Sequence, residues 1–129
     1  MIEKKLGEKI KKFEFKVFIL FGSRATSNFQ KNSDWDFAYF REKELSENEK
    51  NQLWDIIYTL TNNENIDIIH INTTYDPLVK KEIFTKGKLL YGNEEVFSRM
   101  QDQAVFEYLD FEPNYIDQKE IISKRLELL

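Results

Sequence analysis

The chain has 129 residues, with 41% apolar residues, 15% aromatic residues and a formal net charge of -4, which favours one packed domain over residues 1–129. The acidic balance argues against direct binding of nucleic acid, because basic residues that neutralise phosphates supply most of that affinity. Cysteine is absent, which excludes disulfides, thiolate metal sites and cysteine nucleophiles. The sequence does not start like a signal peptide and contains no apolar run long enough to span a membrane, so the protein is expected to be soluble and cytoplasmic.

The first segment, Met1 to Glu14, predicts a helix. Apolar residues recur in it at helical spacing, at Ile2, Leu6, Ile10 and Phe13. Its five lysines could form a nucleic-acid patch, but glutamates are interleaved among them. A solvated helix face is therefore the favoured interpretation.

The next stretch predicts a strand followed by a phosphate-binding bend. The apolar run Val17–Phe21 has the length and the aromatic and β-branched content of a buried strand, and it breaks at Gly22. Gly22 permits a sharp turn, and a helix beginning at Ser23 would offer free N–H groups to an anion. Ser23 adds a hydroxyl, and Arg24 adds a planar charge suited to phosphate oxygens. A surface salt bridge is the alternative interpretation of Arg24.

Two aspartates stand at the start of a second predicted strand that continues to Phe40. Because side chains alternate along a strand, Asp34 and Asp36 share a face and Trp35 takes the other. Paired carboxylates repel each other and suit Mg²⁺, which phosphates and waters help to coordinate. Together with the preceding bend they indicate a nucleoside triphosphate site. The alternative is an ordinary turn followed by solvated acidic residues.

The middle of the chain predicts a capped helix and a third strand. Ser46 and Glu49 form a capping-box pattern for a helix ending near Leu60. A strand rich in β-branched residues follows at 66–71, and it carries Asp67. Burying an unpaired carboxylate in so apolar a run would be costly, so Asp67 is a candidate functional residue. A solvated strand start is the alternative for Asp67. His70, the one histidine, falls on the opposite face and is interpreted as a packing residue.

The last third predicts a helix, a short strand and further helices. Asp76 and Pro77 begin a helix that ends near Gly87 with a left-handed cap, and Lys88–Tyr91 forms a strand. From Glu94 onward an apolar stripe continues through Phe97, Met100, Ala104, Tyr108 and Phe111, is interrupted at Pro113, and resumes at Ile122, Leu126 and Leu129. The stripe is expected to pack on its own domain, with a partner surface left open at the end.

These motifs carry a family resemblance. Gly22-Ser23, ten intervening residues and Asp34-x-Asp36 resemble the Gly-Ser-x10-Asp-x-Asp signature of the DNA polymerase beta-like nucleotidyltransferases. The longer sequence FGSRA followed by SDWDF more closely resembles the minimal nucleotidyltransferase branch. The segments PLVKKEIFTKGKLLYG and EYLDFEP are similar to the C-terminal half of the antitoxins of that branch. Two departures are Thr26-Ser27, where the branch often has glycine, and Trp35, where it usually has an aliphatic residue.

The resemblance implies a small α/β fold in which helices pack on a mixed sheet. It assigns catalysis and Mg²⁺ binding, with two ions expected, to Asp34, Asp36 and Asp67, with the third acid on a neighbouring strand. It assigns the triphosphate of ATP to Gly22, Ser23 and Arg24.

The resemblance also implies a partner. Minimal nucleotidyltransferase antitoxins are paired with HEPN-domain ribonuclease toxins, and the implied reaction moves AMP from ATP to a toxin tyrosine and neutralises the toxin. A hetero-oligomer is expected, with the C-terminal helices from about residue 94 contributing to the interface. Two alternatives stay open: an enzyme acting on a small molecule, as antibiotic nucleotidyltransferases do, and an antitoxin that acts by contact alone.

Overall fold

A four-stranded sheet in the order β3-β2-β1-β4 forms the centre of the molecule. The computed structural model describes residues 1–26, 29–30, 33–72 and 76–119, with side chains as far as residue 111. The strands are β1 (Val17–Phe21), β2 (Trp35–Phe40), β3 (Ile66–His70) and β4 (Lys88–Gly92). The helices are α1 (Ile2–Lys9), α2 (Glu47–Thr61), α3 (Pro77–Lys86) and α4 (Glu94–Lys119).

The sheet is mixed, as the family resemblance implied. β1 pairs antiparallel with both β2 and β4, whereas β2 pairs parallel with β3. Parallel neighbours need a crossover, and α2 supplies it between β2 and β3. As a result β2 and β3 begin at the same edge of the sheet, where β1 ends.

Alternating side chains of the strands fill two cores, one on each face of the sheet. The core against α1 and α2 holds Phe18, Leu20, Trp35, Phe37 and Tyr39 from the strands. The core against α3 and α4 holds Val17, Ile19 and Ala38. The rings of Phe18 and Phe37 stack with centroids 5.2 Å apart, and truncating so buried a ring to alanine typically costs about 3–5 kcal/mol.

The helix starts follow the predicted caps. The Ser46 side chain accepts a hydrogen bond from the Glu49 N–H at 3.1 Å, and the Glu49 carboxylate accepts one from the Ser46 N–H at 3.0 Å. Asp76 caps α3, its carboxylate accepting from the Leu78 N–H at 2.7 Å, with Pro77 in the first turn. Both caps satisfy N–H groups that have no partner within the helix.

The predicted left-handed cap at Gly87 was wrong. α3 does end there, but Gly87 has an extended backbone with φ -77° and ψ 163°. A Cβ at this position would meet the Ile83 carbonyl of α3 itself and would lie 2.6 Å from Cγ2 of Ile19. Glycine fits here because the chain passes close against both the last turn of α3 and β1, and local sequence does not reveal the contact with β1.

The first and last helices also differ from prediction. α1 stops at Lys9, and a single 3-10 turn over Lys11–Phe13 completes the first segment. α4 runs without a break from Glu94 to Lys119, so the predicted interruption at Pro113 was wrong. A proline removes one backbone donor, and here the turns on either side continue the helix.

The apolar stripe of α4 packs as predicted in its first half. Phe97, Met100 and Ala104 join the core formed with α3. The predicted continuation through Ile122, Leu126 and Leu129 lies outside the described residues. In the part of the chain that the structure describes, no helix is both long and apolar enough to cross a membrane.

Candidate active site

The bend after β1 lies directly against the acidic strand. Gly22 has φ +72°, a conformation that side-chain-bearing residues rarely adopt. Phe21, just before it, is the register partner of Asp36 in β2. A Cβ at position 22 would meet the Asp36 carboxyl group, with its Cγ only 3.2 Å away. Glycine therefore serves here for a close approach to a carboxylate as well as for a turn.

The bend is one turn of 3-10 helix rather than the helix predicted to begin at Ser23. The turn covers Gly22–Ala25 and ends at Thr26, whose N–H and hydroxyl both donate to the Ser23 carbonyl at 3.1 and 2.9 Å. Ser23 itself is exposed. Any anion bound here would meet the N–H groups of a single turn, without the dipole of a long helix.

The predicted acidic residues share one face and one edge of the sheet. Asp36 and Asp67 are register partners in the parallel pair β2 and β3, so their side chains leave the sheet on the same side, the side of α3 and α4. Asp34 precedes β2 by one residue and is exposed, as is Asp67, whereas Asp36 is half-buried.

Electrostatics link the three carboxylates. Burial raises the pKa of Asp36, and the negative charges of Asp67 and Asp34 raise it further. Ionised Asp36 thus sits in a site that disfavours its charge. A cation beside it would relieve that penalty.

The donor set fits Mg²⁺ by its chemistry, since hard carboxylate oxygens around a crowded negative charge are what this ion takes. Within the described residues, no group of three or more acidic, histidine or cysteine side chains lies close enough together to hold a metal ion by itself. Mg²⁺ commonly binds one or two carboxylates and completes its shell with substrate phosphates and water. The arrangement therefore suits an ion that arrives with a nucleotide.

Arg24 does not join these carboxylates. Its guanidinium donates to the Ser33 carbonyl from Nε at 3.3 Å and from Nη2 at 3.2 Å. The same group lies 4.5 Å from the ring centroid of Trp35, which points to the α1 and α2 face. This engagement is on the opposite side of β2 from Asp36.

His70 packs, as predicted. Its ring stacks on Tyr39 with centroids 4.8 Å apart, and its Nε2 lies 3.1 Å from the Arg41 carbonyl. Tyr39 belongs to the core against α1 and α2. The histidine therefore faces away from the carboxylates.

A cavity of about 660 Å³ lies at the far ends of β2 and β3. Phe40, Ile71, Phe84 and Met100 give it apolar walls, and Lys80 and Arg99 contribute positive charge. None of the three aspartates lines it. The acidic site is instead at the opposite edge of the sheet.

The sequence of this chain matches the family model described as polymerase beta, nucleotidyltransferase, over residues 4–96. The chain belongs to the polymerase beta nucleotidyltransferase family. The matched region contains Gly22, Ser23, Arg24 and the three aspartates, and it ends three residues into α4.

One curated relative is consistent with this membership. The chain is 36% identical over 102 residues to a protein adenylyltransferase MntA of Aphanizomenon flos-aquae (strain 2012/KM1/D3), a match that covers 70% of this chain and 66% of that relative. The chain therefore spans about two thirds of that relative's length.

Two solved structures share the fold. A chain of a toxin–antitoxin crystal structure with AMP-PNP has a TM-score of 0.74 at 17% identity, covering 98% of this chain and 99% of that one. A chain of a tri-AMPylated Shewanella oneidensis HEPN toxin in complex with MNT antitoxin has a TM-score of 0.64 at 16% identity, covering 96% and 98%.

Sequence reasoning missed one residue of this region. Asn63 lies in the loop between α2 and β3, and its side-chain amide donates to the Ser33 carbonyl at 3.2 Å. The available signal was the run Asn62-Asn63-Glu64-Asn65 directly before the strand that carries Asp67. Asparagine side chains commonly bind nearby backbone groups in such turns.

Proposed function

We propose that this protein is an antitoxin that acts as a protein adenylyltransferase, transferring AMP from ATP to a tyrosine of a HEPN-domain ribonuclease toxin. The observation that carries the proposal is the contact of the Gly22 bend with Asp36, the register partner of Asp67. A glycine bend against a carboxylate pair suits a metal-bound triphosphate. The 36% identity to an adenylyltransferase supports the choice of reaction.

Asp34, Asp36 and Asp67 would hold Mg²⁺ together with the phosphates of ATP, and the bound ion would neutralise the triphosphate and favour in-line displacement at the α-phosphorus. The bend positions the phosphates through Gly22 and Ser23. Asp67 accepts the proton of the acceptor hydroxyl as that oxygen bonds to the α-phosphorus. The bond from the α-phosphorus to the bridging oxygen breaks, and pyrophosphate leaves.

A tyrosine suits this site as the acceptor. Its hydroxyl has a reference pKa of about 10, well below that of an aliphatic alcohol, so a carboxylate is an adequate base when a metal ion is present. The adduct places a bulky negative charge on the toxin. Beside a ribonuclease site that must bind RNA phosphates, such a charge repels the substrate.

The second half of α4 contributes the surface for the toxin in this proposal. Phe106 is 68% exposed and Leu109 is 52% exposed, and the two are neighbours at helical spacing. Large apolar side chains exposed together are typical of interaction surfaces. Phe106 and Leu109 follow Ala104, the last core residue of α4, by two and five residues, and both are exposed to solvent.

The test is to incubate the purified protein with ATP labelled on the α-phosphate, Mg²⁺ and the product of the adjacent gene. Label on a tyrosine of that partner, absent with Asp36→Asn, supports the proposal. Neutralisation that persists in Asp36→Asn without label would indicate an antitoxin that acts by contact. Label found only on an added small-molecule acceptor would indicate an antibiotic-type enzyme.

A further inference from the structure

The residue just before the acidic pair is held at its backbone from two sides. The Ser33 carbonyl accepts hydrogen bonds from Nε and Nη2 of Arg24 and from Nδ2 of Asn63, all at 3.2–3.3 Å. Arg24 comes from the bend after β1, and Asn63 comes from the loop between α2 and β3. Three separate segments therefore meet at one carbonyl next to Asp34.

Aromatic rings fix the guanidinium in this position. It lies 4.6 Å from the ring centroid of Phe29 and 4.5 Å from that of Trp35. The fork of a guanidinium is planar, so stacking sets the direction in which its N–H groups point. Trp35, only 8% exposed, is itself anchored in the core against α1 and α2. An aliphatic residue at position 35 would offer no such π-face.

The loop between α2 and β3, which carries Asn63, also links the two strands that carry Asp36 and Asp67. The Trp35 N–H donates to the Asn65 carbonyl at 2.9 Å, and the Asn65 N–H donates to the Asn63 side chain at 2.7 Å. Asn65 is two residues before Asp67. A displacement of Ser33 would therefore be transmitted to the starts of both β2 and β3.

We propose that Arg24 is a positioning residue, which together with Asn63 holds the Ser33 carbonyl and so fixes the spacing of the carboxylates at the starts of β2 and β3. Arg24 acts from the opposite face of the sheet and does not contact the phosphates. The carboxylates repel one another, so without this restraint the segment at 33–36 relaxes away from the bend. The kinetic part of this inference rests on the adenylyl transfer proposed above.

Arg24→Lys and Asn63→Ala provide the kinetic test. Lysine keeps the positive charge but lacks the fork and the planar stack. We expect both variants to lower kcat by about 10-fold to 100-fold, because misplaced catalytic groups cost that much, with KM for ATP within about twofold of wild type. The double variant is expected to lose little more than either single variant, since both act through one carbonyl.

Arg99→Lys is the matched control. Arg99 lies on α4, lines the cavity at the far end of the sheet and is remote from Ser33. It should leave kcat and KM within twofold of wild type. An Arg24→Lys enzyme with kcat unchanged and KM for ATP raised 10-fold or more, together with an Asn63→Ala enzyme like wild type, would overturn the proposal in favour of a phosphate contact.

Amide hydrogen exchange tests the positioning without reference to activity. In Arg24→Lys and Asn63→Ala, amide exchange at residues 33–36 should accelerate at least 10-fold while α2 and β1 keep their protection. Exchange at wild-type rates in both variants would overturn the proposal even if activity fell. If the wild-type protein transfers no AMP, the proposed function fails and this measurement still decides the role of Arg24.

Discussion

Asp36 of β2 and Asp67 of β3 are direct register partners in a parallel pair. Neighbouring strands lie about 4.8 Å apart, so the two carboxylates leave the same face of the sheet side by side. The Gly22 bend follows β1, which pairs with β2 on the side opposite β3, and it lies against the Asp36 carboxyl group. Three consecutive strands thus bring the bend and two acids together at one edge.

Replacing Gly22 with alanine should disturb this edge. A left-handed backbone costs about 1–2 kcal/mol for a residue with a Cβ, and the added Cβ would displace the Asp36 carboxyl group. We expect a lower free energy of unfolding in denaturant and a loss of AMP transfer by the molecules that remain folded. Gly92→Ala is the matched control, because Gly92 has φ +125° but contacts Lys16 rather than an aspartate. Equal activity per folded molecule in the two variants would contradict this expectation.

Replacing Asp36 with asparagine should separate stability from function. Burial and the charges of Asp67 and Asp34 disfavour ionised Asp36, so the neutral amide should leave the metal-free protein at least as stable as wild type. Mg²⁺ and ATP at about 100 times their dissociation constant should stabilise the wild type by about 2.7 kcal/mol. We expect that increment, measured by thermal unfolding with and without chelator, to disappear in Asp36→Asn.

Asp55→Asn is the control for this experiment. Asp55 is exposed on α2, and its replacement should leave the ligand-induced shift in place. A shift of wild-type size in Asp36→Asn would show that the nucleotide binds elsewhere.

Asp67→Asn should act mainly on the chemical step. A general base contributes about 10²-fold to 10⁴-fold, so kcat should fall within that range. KM for ATP should rise by a smaller factor, because Asp67 is also one of the carboxylates proposed to hold Mg²⁺. Steady-state transfer to the partner protein provides the measurement. Glu64→Gln, an exposed acid before the same strand, should remain active. An Asp67→Asn enzyme at wild-type kcat would assign the base to another residue.

Glu49 gives stability a pH dependence. Hydrogen bonds from the Ser46 N–H and from Arg41 lower the pKa of Glu49 below its usual value. A lowered folded-state pKa stabilises the fold above the unfolded pKa, and the effect is lost as the pH falls through the folded value. Glu49→Gln should therefore be less stable than wild type at pH 7, and the gap should close on acidification.

Denaturant unfolding at several pH values measures this difference in the free energy of unfolding between wild type and Glu49→Gln. Glu94→Gln removes an exposed glutamate from the first turn of another helix, α4, and should show a smaller difference that varies less with pH. A Glu49→Gln gap that is constant with pH would contradict the assignment.

Phe106 and Leu109 test the proposed partner surface. Replacing both with serine should weaken the complex with the toxin by at least 10-fold, because truncating the few residues that anchor an interface costs about 2 kcal/mol or more. Titration calorimetry gives the affinity, and thermal unfolding of the free protein checks that the fold is intact. Asp102→Ser, another exposed position on α4, serves as the control. Unchanged affinity in the double variant would move the interface elsewhere.

The shared face of Asp34 and Asp36 could be predicted from the sequence because strand alternation is local. The place of Asp67 beside them followed from the family resemblance, and the structure has Asp36 and Asp67 as the second residues of β2 and β3. The orientation of the Arg24 side chain could not be predicted in this way. Its direction depends on the face that Trp35 takes and on Asn63 from a distant loop, both of which are set by tertiary packing. The extended conformation of Gly87 could not be predicted either. It places the residue against the Ile83 carbonyl of α3 and the side chain of Ile19 in β1, and the second contact forms only when the sheet is assembled.

The place of β3 at the margin of the sheet has a consequence for what this protein can modify. Asp67 stands on the outermost strand on that side, so an acceptor can come alongside it without entering the fold. A free tyrosine would gain little from so open a position. A tyrosine carried on a folded macromolecule could be presented there, its own surface closing the side that this small domain leaves open.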